Sequence, residues 1–450
     1  MARWGEGLLA VALAAVMAGT AGMAVGQTQP KSAAPATVKA PQTAAGPAPQ
    51  SSPQDAYRLP PEKLKQAIEL GSIRDVLSIV GPVWELAVLW LLLATGLAAR
   101  GERWTERLNA RRWVQGLAFF AGFLAVTAVT DLPLELTAHA ASLHFGISIQ
   151  TWWGWLGDWA KALGLSLLVG APVLLLFHGI VRRWPRRYWL GAWAAAVPLM
   201  ALGVFVGPLL EPVFDTFEPL QKADPALVTE LEKVVARTGT QIPPERMFLM
   251  KASAKTNGLN AYVSGWGATK RVVVWDTTVG RVPNDEVLFI FAHETGHYVL
   301  RHIVKMMAVA TVLMLAGFWA CARLAEWLAR RFGRRWGLDG LGSRAGFVVL
   351  LLAASVGGFV AEPVANALSR HVEHEADVYG QEAVHGIVAD PQKTAVAAFN
   401  ALGEAWLEDP HPNALIEFWL YSHPSTQRRA QFAEHYDPWA KGGHGEFFAK

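Results

Sequence analysis

One cysteine, Cys321, is all the thiol this 450-residue chain contains. That excludes an internal disulfide and any Cys-rich zinc site. It falls in an apolar run, where a small buried core residue is expected. Charge is scarce too. Asp, Glu, Lys and Arg make up only 17% of the chain, and a formal net charge of +3 is too small to draw it onto nucleic acid. No internal repeat marks a solenoid or an array. What is present is apolar: 52% of residues are hydrophobic and 20 are Trp, a composition suited to a membrane protein with aromatics at the interfaces.

The first 26 residues read as a secretory signal. Arg3 lies near the start, an apolar stretch runs from Leu8 to Met17, and Ala24-Val25-Gly26 fits a small-x-small cleavage site. Left uncleaved as an anchor, the same segment would put the following residues on the same, outer side. Residues 27–56 are Ala, Pro, Gln, Ser and Thr with almost no large apolar side chains, the composition of a disordered tether. Residues 57–79 read as an amphipathic helix, with Leu64, Ile68, Ile73 and Leu77 on one face, lying on the membrane surface or on the next domain.

Six apolar runs are long enough for about 20 helical residues each. They lie near 80–99, 113–132, 162–181, 188–210, 303–325 and 345–366. Arginines set their orientation. Arg100, Arg103, Arg107, Arg111 and Arg112 follow the first run; Arg182, Arg183, Arg186 and Arg187 the third; Arg330, Arg331, Arg334 and Arg335 the fifth. The loop 131–159 holds Asp131, Glu135 and Asp158 and no Lys or Arg. Every odd run therefore leads into a cytoplasmic loop, and residues 211–302 and 367–450 face outward.

Within the outward segment, "FAHETGHYVL" (Phe291–Leu300) buries polar groups in an apolar helical run, which costs free energy unless they pair or hold an ion. His293 and His297, at i and i+4, emerge one turn apart on one helix face. That spacing lets two nitrogens reach one Zn²⁺ at about 2.0–2.1 Å. Glu294, 100° around the helix, lies beside such an ion, placed to take a proton from water. Gly296 leaves room for another element to approach closely.

A catalytic zinc site wants three protein ligands and an open position. "NALSRHVEHEAD" (Asn366–Asp377) begins where the last apolar run ends, and Glu373, His374, Glu375 and Asp377 are all able to bind metal. Glu373 and Asp377 share a helical face, so one can ligate while the other orients a ligand histidine through its free N–H.

HETGH, two further runs, and then Asn-x-x-Ser-Arg-x-x-Glu-x-x-x-Asp together resemble the type-1 CAAX prenyl protease family of integral-membrane zinc metalloendopeptidases. "PLLEPVFDTFEPL" (Pro208–Leu220), "NAYVSG" (Asn260–Gly265), "RVVVWDTTV" (Arg271–Val279) and "SHPSTQRRA" (Ser422–Ala430) extend the resemblance from about Gly207 to Gln431. The resemblance implies one Zn²⁺ per chain held by His293, His297 and Glu373, with Glu294 as general base and Asp377 behind the ligands. It also implies that Asn260 lies on an edge strand binding extended substrate, and that His423 and Arg429 contact the scissile peptide. The family's best-known members are eukaryotic and cut prenylated C-termini on the cytosolic side. The signal-like start and the arginine loops here point to a bacterial inner-membrane protein with its site on the periplasmic face.

The expected fold is an all-α multi-pass membrane protein carrying a zincin-like, mainly helical catalytic domain. That domain is split between 211–302 and 367–450, with a small sheet near 246–279. The expected activity is hydrolysis of peptide bonds in membrane-associated or exported polypeptides, with membrane lipid as the other partner. A non-catalytic membrane scaffold with a structural zinc, its fourth position closed by His374 or another side chain, is the rival. A transporter fits less well, because the charged residues crowd the ends of the apolar runs rather than their middles.

Overall fold

The computed structural model describes residues 55–108, 111–265 and 270–448. The signal expected over 1–26, and all but the last two residues of the tether expected over 27–56, lie outside the described residues. Helix α1 is Pro61–Ala94, α2 Leu97–Leu108, α3 Arg112–His144, α4 Trp152–Arg183 and α5 Tyr188–Leu210. After β1 (Phe217–Pro219), α6 (Leu220–Ala223) and α7 (Pro225–Thr238) come β2 (Met247–Met250), β3 (Ala261–Ser264) and β4 (Arg271–Trp275). Then follow α8 (Asn284–Val299), α9 (His302–Trp336), α10 (Arg344–Val384), α11 (Pro391–Trp406), α12 (Ala414–Leu420) and α13 (Thr426–His435).

Six helices among the described residues, α1, α3, α4, α5, α9 and α10, are long and apolar enough to cross a membrane. Several run past the expected limits. The helix expected over 57–79 and most of the run expected over 80–99 form one rod, α1, which continues straight through Gly81 and Pro82; the chain turns only at Gly96, in the left-handed region (φ 69°). The arginine stretch expected as a loop is largely α2. Helix α3 continues through Pro133 to His144, a length of about 50 Å against a hydrocarbon core of about 30 Å. Asp131 and Glu135, expected in a loop, are therefore helical. Helix α10 runs through the boundary expected at 366, so one rod carries both a membrane span and the residues around Glu373.

Two main cores follow from these rods. In one, Val88, Leu89 and Leu93 of α1 meet Phe119, Phe120 and Phe123 of α3 and Val348 to Ala353 of α10. In the other, Leu64, Ala67 and Leu70 from the first turns of α1 pack with α7, β2, β4, α8 and α11. Helix α1 thus belongs to both. Glu102 of α2 caps α10 directly, accepting from the backbone N–H of Arg344 (2.9 Å) and Ala345 (3.0 Å), where a carboxylate also suits the helix dipole.

The sheet order is β1-β2-β4-β3, with β2 and β4 parallel and the outer pairs antiparallel. β3 is the end strand and packs on α8. Trp406 of α11 buttresses it, donating from its indole N–H to the Leu259 carbonyl (3.1 Å) in the space left by Gly258.

Helices α8 and α10 cross at unusually close range. A Cβ on Gly296 would meet Tyr379 Cδ1 at 2.9 Å, and one on Gly380 would sit 3.0 Å from the backbone Cα and N of His293. The second obstacle is backbone and cannot rotate away. Gly380→Ala should therefore push the two helices apart, destabilising the protein by about 1–3 kcal/mol as overpacking does. A lowered Tm in detergent, with loss of bound metal, is the expected readout.

Candidate metal centre

Helix α8 opens after Pro283 with Asp285 and Glu286 in its first turn, where acidic groups favour the helix dipole. Val287 to Ala292 are all buried, so the helix is apolar all round and runs through the core. His293 emerges from that stretch 3% exposed, and α10 presents Glu373 and Asp377, also 3% exposed, across the close crossing.

His293 Nε2 and His297 Nε2 lie 3.2 Å apart. Glu373 Oε2 is 3.4 Å from His293 Nε2, and Oε1 is 3.4 Å from His297 Nε2. Ligand atoms of the three residues fall within 4.8 Å of one another, the one such group among the described residues. Asp377 Oδ1 accepts from His293 Nδ1 at 2.9 Å, which leaves the Nε2 lone pair of a neutral His293 facing Glu373. Glu373 Oε2 is buried and has no hydrogen-bond partner. Two imidazole nitrogens and an unsatisfied buried carboxylate converging on one point fit a divalent cation, which satisfies all three at once.

The other candidates divide. Glu375 turns away to His302, with Nε2 to Oε2 at 2.9 Å, and the His374 ring rests on Phe432 with centroids 4.5 Å apart. Arg429, expected against substrate, is buried with both donors on Asp377, at 2.9 Å from Nε and 2.6 Å from the terminal nitrogen. Its guanidinium also covers the Phe399 ring at 4.6 Å. His423 is half-buried. Its Nδ1 meets Ser422 Oγ at 2.9 Å, while Nε2 lies 3.2 Å from Glu373 Oε1 without hydrogen-bond geometry. Asn260 stands just before β3. Its backbone is engaged by Thr278 and Trp275, and its buried Oδ1 has no partner. His302 escaped the sequence reading: its Nδ1 sits 3.0 Å from His297 Nδ1.

Burial opposes charge on His293, but Asp377, which accepts from Nδ1, and the Glu373 carboxylate facing Nε2 outweigh burial and hold its imidazolium up to about 9. His297 falls to about 3, first through burial, with His293 among the neighbours that reinforce it against the pull of Glu373. Glu294 keeps some accessible surface although protein surrounds its carboxyl, and burial is the first cause that pushes it above the usual carboxylate range.

A multi-span helical domain topped by this constellation defines an integral-membrane metallopeptidase. Residues 221–437 match Peptidase family M48, and residues 50–216 match the CAAX prenyl protease N-terminal region of five membrane helices. The "Uncharacterized metalloprotease YhfN" of Bacillus subtilis is 31% identical over 379 residues, 84% of this chain and 86% of its own length. The "CAAX prenyl protease 1 homolog" of Arabidopsis thaliana is 26% identical over 318 residues, covering 70% of this chain and 72% of that protein. The crystal structure of S. mikatae Ste24p superposes with a TM-score of 0.73 at 21% identity, over 86% of this chain and 92% of that one, and so shares the fold. The chain belongs to the M48 peptidases, among the CAAX prenyl protease-type members, and is a membrane metalloendopeptidase.

Because His293 without metal keeps a proton up to about 9, an ion that needs a bare Nε2 must displace it at neutral pH. The sign follows: below 9 the protonated fraction grows as pH falls, so affinity should fall by about tenfold for each pH unit of acidification. Chelator competition at pH 6, 7 and 8 measures it. A flat profile would mean that His293 is already neutral in the metal-free protein.

Proposed function

We propose that this chain is a zinc endopeptidase hydrolysing peptide bonds of membrane-associated or exported polypeptides, with its site on the outer, periplasmic face of a bacterial inner membrane. One observation carries the chemistry. Glu294 follows His293 directly on α8, and its carboxyl lies close enough to His293, Glu373 and His423 to feel their charges, while burial pushes it above the usual carboxylate range. A carboxyl so raised beside the triangle is suited to take up and hand on a proton.

Two imidazoles and one carboxylate, with a fourth position for solvent, are the donor set of a catalytic zinc. Zinc held there would polarise the scissile carbonyl and acidify the attacking water. Glu294 takes the proton of that water and delivers it to the leaving amine. His423, with a free Nε2 beside Glu373, is placed to donate to the developing oxyanion, an interaction worth about 3–4 kcal/mol when preorganised. Arg429 has its donors on Asp377 and acts through it, holding Asp377 against His293. An extended substrate pairs along the outer side of β3, the end strand of the sheet, which begins directly after Asn260. The scaffold reading needs a side chain closing the fourth position, and the candidate for that, His374, lies on Phe432.

The orientation rests on three arginine clusters at the ends of spans, all of one sign, and on a contact. The segment before α1 lies on the catalytic half: the Tyr57 N–H donates to Gln427 Oε1 (2.8 Å) and the Arg58 N–H to Asn400 Oδ1 (2.9 Å). The start of α1 and the catalytic domain therefore share a face, with four spans between them. An outward site points to exported polypeptides rather than to cytosolic prenylated ones.

Glu294→Gln removes the proton carrier and no ligand. Peptide hydrolysis should fall by at least 10²–10⁴-fold with metal content unchanged. Hydrolysis near the wild-type rate in a pure preparation would refute the mechanism. Glu373→Ala should lose metal and activity together, and retention of both would break the ligand assignment. For topology, alkaline phosphatase fused after Pro243 or after Lys450 should be active. Silence at both, with active fusions at Arg183 and Arg335, would place the site in the cytoplasm.

A further inference from the structure

Among the described residues, one buried histidine next to the site has no part in the mechanism above. His302 is 2% exposed and begins α9, immediately after Arg301, whose φ of 56° is in the left-handed region. For an arginine that conformation is uncommon and strained. It breaks the helix between Val299 and His302 and folds the chain so that the His302 ring faces His297. Ring centroids lie 5.1 Å apart, Nδ1 meets Nδ1 at 3.0 Å, and the other nitrogen of His302 meets Glu375 Oε2 at 2.9 Å. Lys305 (3.8 Å) and His371 (3.7 Å) hold Glu375 from the solvent side.

We infer that His302 and Glu375 are positioning residues that fix His297 in the tautomer with a proton on Nδ1 and a bare Nε2 for the metal. The inference rests on the metal-site reading above. It follows from counting donors. A carboxylate only accepts, so the Glu375 bond requires a proton on His302 Nε2. A neutral His302 then has a lone pair on Nδ1, which can only accept from His297 Nδ1–H. That leaves His297 Nε2 bare, 3.2 Å from the Nε2 of His293 and 3.4 Å from Glu373. Any other proton placement on neutral His297 and His302 sets two donors or two acceptors facing one another, either at the Nδ1 contact or at Glu375; the two bare Nε2 atoms of His293 and His297 that remain face each other and are matched by the ion. His293 receives the same instruction from Asp377 directly. His297 receives it through an intervening imidazole, because its Nδ1 points to the α8–α9 corner rather than to α10.

The test is metal affinity of the full chain in detergent, by chelator competition with Zn²⁺, together with the d–d absorption of the Co²⁺ form. His302→Phe removes the acceptor while keeping the ring's bulk, and its Zn²⁺ affinity should drop by about 10–100-fold, the usual loss for a partner behind a ligand histidine. His302→Asn puts an amide oxygen at the Nδ1 position and should recover most of that loss, with the wild-type Co²⁺ spectrum. Glu375→Ala should weaken binding severalfold by freeing the His302 tautomer, and it decides the question if His302→Phe fails to fold. Wild-type affinity and spectrum in a folded His302→Phe, or in Glu375→Ala, overturns the inference. Wild type that takes up no stoichiometric Zn²⁺ overturns the metal-site reading instead.

Discussion

The close crossing of α8 and α10 is the constraint on which the site depends. Glycine faces it from both sides, Gly296 against Tyr379 and Gly380 against the backbone of His293. Only at that separation can a carboxylate as short as Glu373 come within 3.4 Å of two histidines on the other helix. A slightly wider crossing would leave two imidazoles and a carboxylate each buried and unpaired, which is more costly than having none of them. The crossing is itself held by core packing. Phe289 and Phe291, on the turn before the histidines, are each 1% exposed, and the Phe289 ring meets Phe399 of α11 at 5.3 Å.

Long rods tie that crossing to the membrane domain. Helix α10 carries Val348 to Ala353 in one core and Glu373 and Asp377 at the site, with no break between them. Helix α1 likewise joins both cores, and Glu102 of α2 fixes the opposite end of α10 through two backbone hydrogen bonds. The spans and the ligand residues are thus joined by continuous helix, whose one interior proline, Pro363, lies between the membrane core and Glu373 and removes a helix hydrogen bond there.

The clustering of the centre's side chains was legible in the sequence because it is local. The i, i+4 spacing of His293 and His297, the adjacent Glu294 and the shared face of Glu373 and Asp377 are helix geometry, and the structure brings those side chains together as that geometry requires. The six spans were legible as apolar runs, but their ends were not. Hydropathy stops at Asp131 or Asn366, whereas backbone hydrogen bonding continues until a Gly96-like turn or a cap intervenes. Arg429 was legible as important and misread in its contacts, since nothing in "STQRRA" says that Asp377 lies within 2.6 Å. His302 was invisible. "GHYVLRHIV" reads as continuous helix, in which residue 302 would point away from 297, and only a left-handed arginine turns it back.

Charge balance explains the composition of the buried cluster. Arg429 lies on Asp377, so the guanidinium neutralises the carboxylate that orients His293, and neither acts as an uncompensated buried charge. Glu373 and Glu294 then remain as two carboxylates, which a divalent ion balances. Without the ion those two carboxylates are uncompensated, and His293, against the pull of burial, keeps a proton up to about 9 through Asp377 and Glu373 beside it. His297 cannot do the same. Burial first, and then the neighbouring imidazoles of His293, His302 and His423, keep it uncharged down to about 3 despite Glu373. The two histidines of the cluster thus differ in charge, His293 holding a proton with Asp377 in direct contact and His297 standing bare through its burial and its imidazole neighbours.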